Sequence, residues 1–112
     1  MTLFEKIANH EIPAKIVHED AELVAFQDIH PQAPYHIVII PRRPIPSIND
    51  VTASDAELIG KMVVLAGQLA QRLGIAESGY RLVFNCGPDA GQSVDHIHLH
   101  LLGGRLMDWP PG

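Results

Sequence analysis

Residues 96–102 read His96-Ile97-His98-Leu99-His100-Leu101-Leu102. Along a β-strand successive side chains point to opposite faces. Read as a strand, this stretch sets His96, His98 and His100 on one face and Ile97, Leu99 and Leu101 on the other. The apolar face has a core to fill. The imidazole face gains nothing from burial unless its ring nitrogens find partners. Just upstream, Asn85 to Ser93 (NCGPDAGQS) is a Gly-containing loop that ends in a hydroxyl, of the kind that holds an anion. A row of imidazoles beside such a loop points to chemistry at phosphorus.

Working outward, the flanking elements describe an α+β chain with a mainly antiparallel sheet. Tyr80 to Asn85 reads as the strand before the loop. Thr2-x-x-Glu5 has capping-box spacing and predicts a short helix from Leu3 to about His10, with Leu3, Phe4 and Ile7 as its apolar stripe. Lys15–Glu19 and Leu23–Gln27 are short apolar runs split by a polar turn, which predicts a hairpin. Two prolines stiffen the loop from Asp28 to Pro34, and His36 to Ile40 follows as an apolar, β-branched central strand.

A long helix is predicted from near Thr52 to Leu73, with Gly74 as its left-handed C-terminal residue. Leu58, Ile59, Met62, Ala66, Leu69, Ala70 and Leu73 form its broad apolar face. Val64 falls opposite, between Gly60 and Gly67, and has two readings: a tolerated surface valine, or a strip where a second copy approaches closely.

Composition narrows the class. At 112 residues with 46% hydrophobic and 19% charged, residues 1–112 suit a single globular domain. A formal charge of −5 argues against a general nucleic-acid or anionic-membrane surface, though not against a small anionic ligand. The single cysteine, Cys86, allows no intrachain disulfide and fits a reducing compartment. No apolar stretch approaches the ~20 residues needed to span a bilayer. Glu5, Lys6 and Glu11 interrupt the N-terminus, unlike a signal peptide. The expectation is a soluble, cytoplasmic protein that binds neither membrane nor nucleic acid.

Three readings of the histidine row compete. A solvated polar row fits poorly with three of seven histidines falling within five positions. A metal site meets a geometric obstacle, since a rise of ~3.3 Å per residue sets His96 and His100 roughly 13 Å apart. A further ligand would have to come from elsewhere, such as His36. The third reading is nucleophilic catalysis: neutral imidazole can accept a phosphoryl group that water later releases. His98, flanked on both sides, is the best placed. Gly87 and Gly91 can take positive φ and turn backbone N–H groups inward, while Asn85, Gln92 and Ser93 offer side-chain donors. His36 reads either as a structural residue or as one that orients the row. Asp28 reads either as a local turn former or as a grip on vicinal ribose hydroxyls.

These residues resemble a known family. His96-Ile97-His98-Leu99-His100-Leu101-Leu102 matches the histidine triad signature at all seven positions. Phe4-Glu-Lys-Ile7, Glu11-Ile-Pro-Ala-Lys15, Pro31-Gln-Ala-Pro34, Gly91-Gln-Ser93, Gly103-Gly-Arg105 and Trp109-Pro-Pro-Gly112 are similar to the Hint branch of that family. The resemblance implies a homodimeric purine nucleoside phosphoramidase with a five-stranded antiparallel sheet per protomer, one long and one short helix, and a sheet continuous with its twin's. It implies no cofactor and no metal. By position, His98 is the nucleophile, supported by His36, His96 and His100. Asn85, Gly91, Gln92 and Ser93 contact phosphate and leaving group, and Asp28 holds the ribose. Phe4, Ile7, Phe26, Ile29 and Val38 form the purine slot, and Trp109 reaches toward the partner's site.

The chain departs from that pattern at Pro44, where many relatives carry His after two basic residues, and at Gln27, where His is frequent. Asp95, Leu106 and Asp108 also differ from common choices. These changes bear on leaving-group preference and leave the nucleophile and anion loop intact. A dinucleoside polyphosphate hydrolase or nucleotidyl transferase would use the same covalent step with another leaving group. A nucleotide-binding interaction module would use the apolar slot alone. For self-association, Val64→Glu is expected to lower the mass measured by light scattering at micromolar protein. An unchanged mass would remove Val64 from any interface.

Overall fold

A computed structural model describes all residues 1–112, and its local structure follows the capping chemistry. The Thr2 side chain accepts from the Glu5 amide and the Glu5 carboxylate accepts from the Thr2 amide, closing the box that starts helix α1 (Leu3–Ala8). The helix stops two residues short of the expected end: Asn9 caps it, and His10 turns left-handed with φ 59°. Strands β1 (Ile16–Glu19) and β2 (Leu23–Gln27) form the hairpin. Its turn is held by Asp20 Oδ1, which accepts from the amides of Glu22 and Leu23 at 2.8 Å each.

Strand β3 (Tyr35–Pro41) follows the Pro-rich loop. One 3-10 turn over Ala53–Asp55 precedes the long helix α2 (Ala56–Arg72), so the capping box at Thr52 and Asp55 opens the turn and not the helix proper. Gly74 at φ 76° ends the segment as predicted. Strands β4 (Tyr80–Phe84) and β5 (Leu99–Gly103) complete a five-stranded sheet in the order β1-β2-β3-β5-β4, with every pairing antiparallel. The expected α+β fold with one long and one short helix is the observed one.

The two faces of this sheet differ in chemistry. Leu23 and Ala25, Ile37 and Ile39, and Leu99 and Leu101 point toward α2 and pack on Met62, Leu65, Ala66 and Leu69. Leu65, absent from the predicted stripe, belongs to it, while Leu58, Ile59 and Leu73 lie at its margin. The opposite face carries Val24, Phe26, Val38 and Ile40, covered by Phe4, Ile7 and Ala8 of α1. His36 shares the parity of Val38 on β3, and His100 pairs directly with Val38 across β3 and β5. Imidazoles therefore stand where the apolar cover of α1 gives way.

Two features bear on association. Strand β4 is a sheet edge whose residues Arg81–Phe84 are only half-buried. Beside it α2 exposes Val63 and Val64, the latter at 61%. No helix is long and apolar enough to cross a membrane. Leu101 is fully buried between β4, β3 and α2. Leu101→Ala is expected to cost about 3 kcal/mol, read as a lower urea midpoint at unchanged slope.

Candidate active site

The histidine segment corrects the reading of it as one strand. Strand β5 starts only at Leu99, so His96 and His98 precede the sheet and His100 alone stands in it. The cause is a competing backbone bond: the Ile97 amide donates to Ile45 O at 2.7 Å, outside the sheet. Residues 96–99 are consequently all buried, with no alternation of exposed and covered positions. His96 turns away from the row and donates from Nε2 to Pro41 O at 2.7 Å.

Backbone groups decide which nitrogen of each ring carries a proton. A carbonyl can only accept and an amide can only donate. The His96 carbonyl lies 2.7 Å from His98 Nδ1, so that nitrogen holds the proton and Nε2 presents its lone pair. The Gln32 amide donates to His36 Nδ1 at 3.0 Å, which places the His36 proton on Nε2. That proton is given to His100 Nδ1 at 2.8 Å, and His100 Nε2 is left as an N–H donor. One bare lone pair thus stands beside one N–H, on rings 5.0 Å apart. Asp28 Oδ2 lies 3.5 Å from His36 Nε2, while its Oδ1 accepts from the His30 amide at 2.8 Å. Asp28 makes its local turn, and His36 hydrogen-bonds His100.

Burial keeps these rings neutral. Removal from water lowers the pKa of His96, His98 and His36 below the ordinary imidazole value. His100 falls furthest, to about 4, through burial and then through repulsion from His98 and His36. Phe4 supplies much of the dryness, meeting His98 edge-on at 4.8 Å and Phe26 at 5.4 Å.

The loop after β4 is braced from within. Gly87 and Gly91 adopt φ of 83° and 78°. The amides of Gly91 and Gln92 donate to Pro88 O and Gly87 O, and so are committed to the turn. Gln92 departs from its expected role as a phosphate donor. Its Oε1 accepts from the Gly87 amide at 3.0 Å, and its Nε2 donates to Pro46 O and Val94 O at 2.8 and 3.0 Å. Ser93 is exposed, and its amide has no backbone partner. Phe84 pairs with Leu99, so the same register carried one step further sets Asn85 opposite His98.

A family model described as "Scavenger mRNA decapping enzyme C-term binding" matches residues 1–108, which take in the whole of this constellation. The chain belongs to the histidine triad (HIT) family. A HIT family hydrolase from Legionella pneumophila superposes with a TM-score of 0.98 at 56% identity, over 100% of both chains. A histidine triad protein from Clostridium difficile gives 0.92 at 38% identity, covering 95% of this chain and 92% of that one. In sequence, the chain is 52% identical to the purine nucleoside phosphoramidase of Escherichia coli K12, over 95% of this chain and 89% of that protein. These likenesses establish a HIT-family hydrolase.

Within this HIT domain the structure gathers most of the residues expected at the site. His36, His98 and His100 lie together, and Phe4, Ile7, Phe26 and Val38 form one buried cluster. Ile29 stands outside that cluster, 79% exposed, and Trp109 is 82% exposed on its own protomer. A cavity of about 530 Å³ between Tyr80 and Arg81 of β4 and the tail at Arg105 and Leu106 is lined by none of the imidazoles. Asp28, His36 and His100 bring ligand atoms within 4.8 Å of one another, a spacing that suits a metal ion. The Gln32 amide opposes it: with Nδ1 already accepting, a metal on Nε2 would displace the only ring proton and leave an imidazolate.

Three contributors were not read from the sequence as parts of the site. Two are backbone groups, the Gln32 amide and the Pro41 carbonyl, which carry no residue signature. The third is the Thr2 hydroxyl, read only as a helix cap, which also lies 3.3 Å from His96 Nδ1. Since the folded-state pKa values are lowered, the unfolded chain binds more protons in acid. The stability these rings contribute is complete above the ordinary value of 6.5 and is lost as pH falls toward about 4 for His100. Thermal midpoints are expected to fall over that window, with a shallower slope in His100→Asn. Equal slopes would contradict neutral burial of His100.

Proposed function

We propose that this protein hydrolyses P–N bonds in purine nucleoside 5′-phosphoramidates through a nucleotidyl-histidine intermediate. The carrying observation is the bare Nε2 of His98 beside the Nε2–H of His100, each set by a backbone-anchored partner. The name of the Escherichia coli relative supports the same substrate class.

In the first step the His98 Nε2 lone pair forms a bond to the α-phosphorus as the P–N bond breaks. The amine nitrogen takes the bond's electron pair and a proton from the water that then attacks, leaving as a neutral amine, while the His100 Nε2–H donates a hydrogen bond to a phosphoryl oxygen. The His98 ring becomes cationic, and the His96 carbonyl stabilises it by accepting from Nδ1–H. In the second step the hydroxide so formed adds to phosphorus and the N–P electrons return to His98, whose remaining proton stays on Nδ1. The products are a nucleoside monophosphate such as AMP or GMP and a regenerated enzyme. No cofactor and no metal enters either step.

Asp28 holds the ribose hydroxyls in this reading, and the cluster of Phe4, Ile7, Phe26 and Val38 offers its apolar edge to the purine. The Ser93 amide and hydroxyl, with Asn85 and the Gly91 turn, face the phosphate. Gln92 contributes by holding that turn. We further propose a homodimer joined at the β4 edge and the Val63–Val64 strip of α2, which extends the sheet and brings Trp109 to the partner's site. A cytoplasmic setting fits the lone thiol of Cys86.

The test mixes the protein with adenosine 5′-phosphoramidate, quenches early in turnover and maps the adduct by mass spectrometry. AMP is expected on His98, with faster cleavage of P–N than of P–O–P substrates. His98→Ala is expected to lose turnover while still binding AMP. An adduct on another residue, or substantial activity in pure His98→Ala, would overturn the assignment.

A further inference from the structure

We infer that Thr2 is a positioning residue for the nucleophile, acting through the juxtaposition of its hydroxyl with the buried ring of His96. This rests on the assignment of His98 above and extends it to a residue 96 positions away in the chain.

His96 is wholly buried, so each ring nitrogen needs a partner. Nε2 gives its proton to Pro41 O at 2.7 Å, which leaves Nδ1 as an acceptor. The Thr2 hydroxyl, 3.3 Å away, is the donor that satisfies it. That same oxygen accepts from the Glu5 amide at 3.1 Å, so one hydroxyl uses both of its capacities at once. It caps α1 and ties α1 to the segment that carries the nucleophile.

Two consequences converge on His98. The carbonyl that holds the His98 Nδ1 proton belongs to His96 itself, so anything that lets His96 swing also moves that acceptor. Phe4, two residues along from Thr2, packs against both His96 and His98, at 6.2 and 4.8 Å between ring centres. Without the hydroxyl, the His96 lone pair is buried and unpartnered, and the ring is free to turn or exchange its proton between nitrogens. The expected result is a nucleophile presented in the correct tautomer less of the time.

The helix cap and the link to His96 separate by substitution. Thr2→Asp retains an acceptor for the Glu5 amide and a strong N-cap, but has no proton to give His96. Thr2→Ser retains both functions. We expect Thr2→Ser to stay within about twofold of the parent in kcat for adenosine 5′-phosphoramidate. Thr2→Asp should lose about tenfold in kcat, the worth of one hydrogen bond, with KM shifted less than about twofold. Nitrogen-15 spectra of the histidine rings give a substrate-free readout: Thr2→Asp should lose the Nε2–H signature of His96 and the slowly exchanging Nδ1–H of His98. A folded Thr2→Asp with parental kcat and parental ring signals would overturn the inference, as would an equal loss in Thr2→Ser. Should the parent protein itself not turn over the phosphoramidate, the reaction assignment fails. The ring signals of Thr2→Asp still decide the link.

Discussion

The hydrogen bond from His98 Nδ1 to the carbonyl of His96 governs everything this site can do. Neutral imidazole has a single proton, and the nitrogen that carries it cannot attack. A main-chain carbonyl two residues back supplies an acceptor that never titrates. The opposite nitrogen is thereby committed as the lone pair, in a ring whose burial keeps it uncharged. The same logic runs in reverse through the Gln32 amide, which sends a proton outward along His36 to His100. The bare nitrogen of His98 and the N–H of His100 are thus defined by two backbone groups of opposite polarity.

The sheet turns that local chemistry into a site. One face is wholly apolar under α2, and its packing holds β3 and β5 rigidly side by side. Alternation then forces His36 and His100 onto the other face, next to Val38 and Phe26. Helix α1 covers only part of that face, and the boundary where Phe4 meets His98 is where apolar wall becomes imidazole. That boundary is dry on one side and rich in positioned N–H groups and lone pairs on the other.

The Gly87–Ser93 loop illustrates a division of labour that residue types alone disguise. Gln92 looks like a phosphate donor, yet its amide spans Gly87, Pro46 and Val94 and stiffens the turn. The turn in turn consumes the amides of Gly91 and Gln92. Ser93, at the open end, keeps its amide without a backbone partner. A braced loop offers fewer donors than a floppy one, but they require no reorganisation when charge develops.

Much was legible from residue order, because it depends on interactions between near neighbours. The capping boxes at Thr2 and Thr52, the hairpin at Asp20, the left-handed Gly74 and the antiparallel α+β class all follow from short-range rules. The seven-residue histidine motif likewise marked the family. What residue order could not settle was the shape of that motif. A period-two pattern predicts a strand, but the pull of Ile45 O on the Ile97 amide and of Pro41 O on His96 draws the first half out of the sheet. Those partners lie some fifty residues away in the chain, and they are main-chain atoms without a signature in the code of side chains. Which ring nitrogens are bare and which carry a proton are therefore properties of the folded molecule, since a proton's place on imidazole depends on what the fold sets beside it.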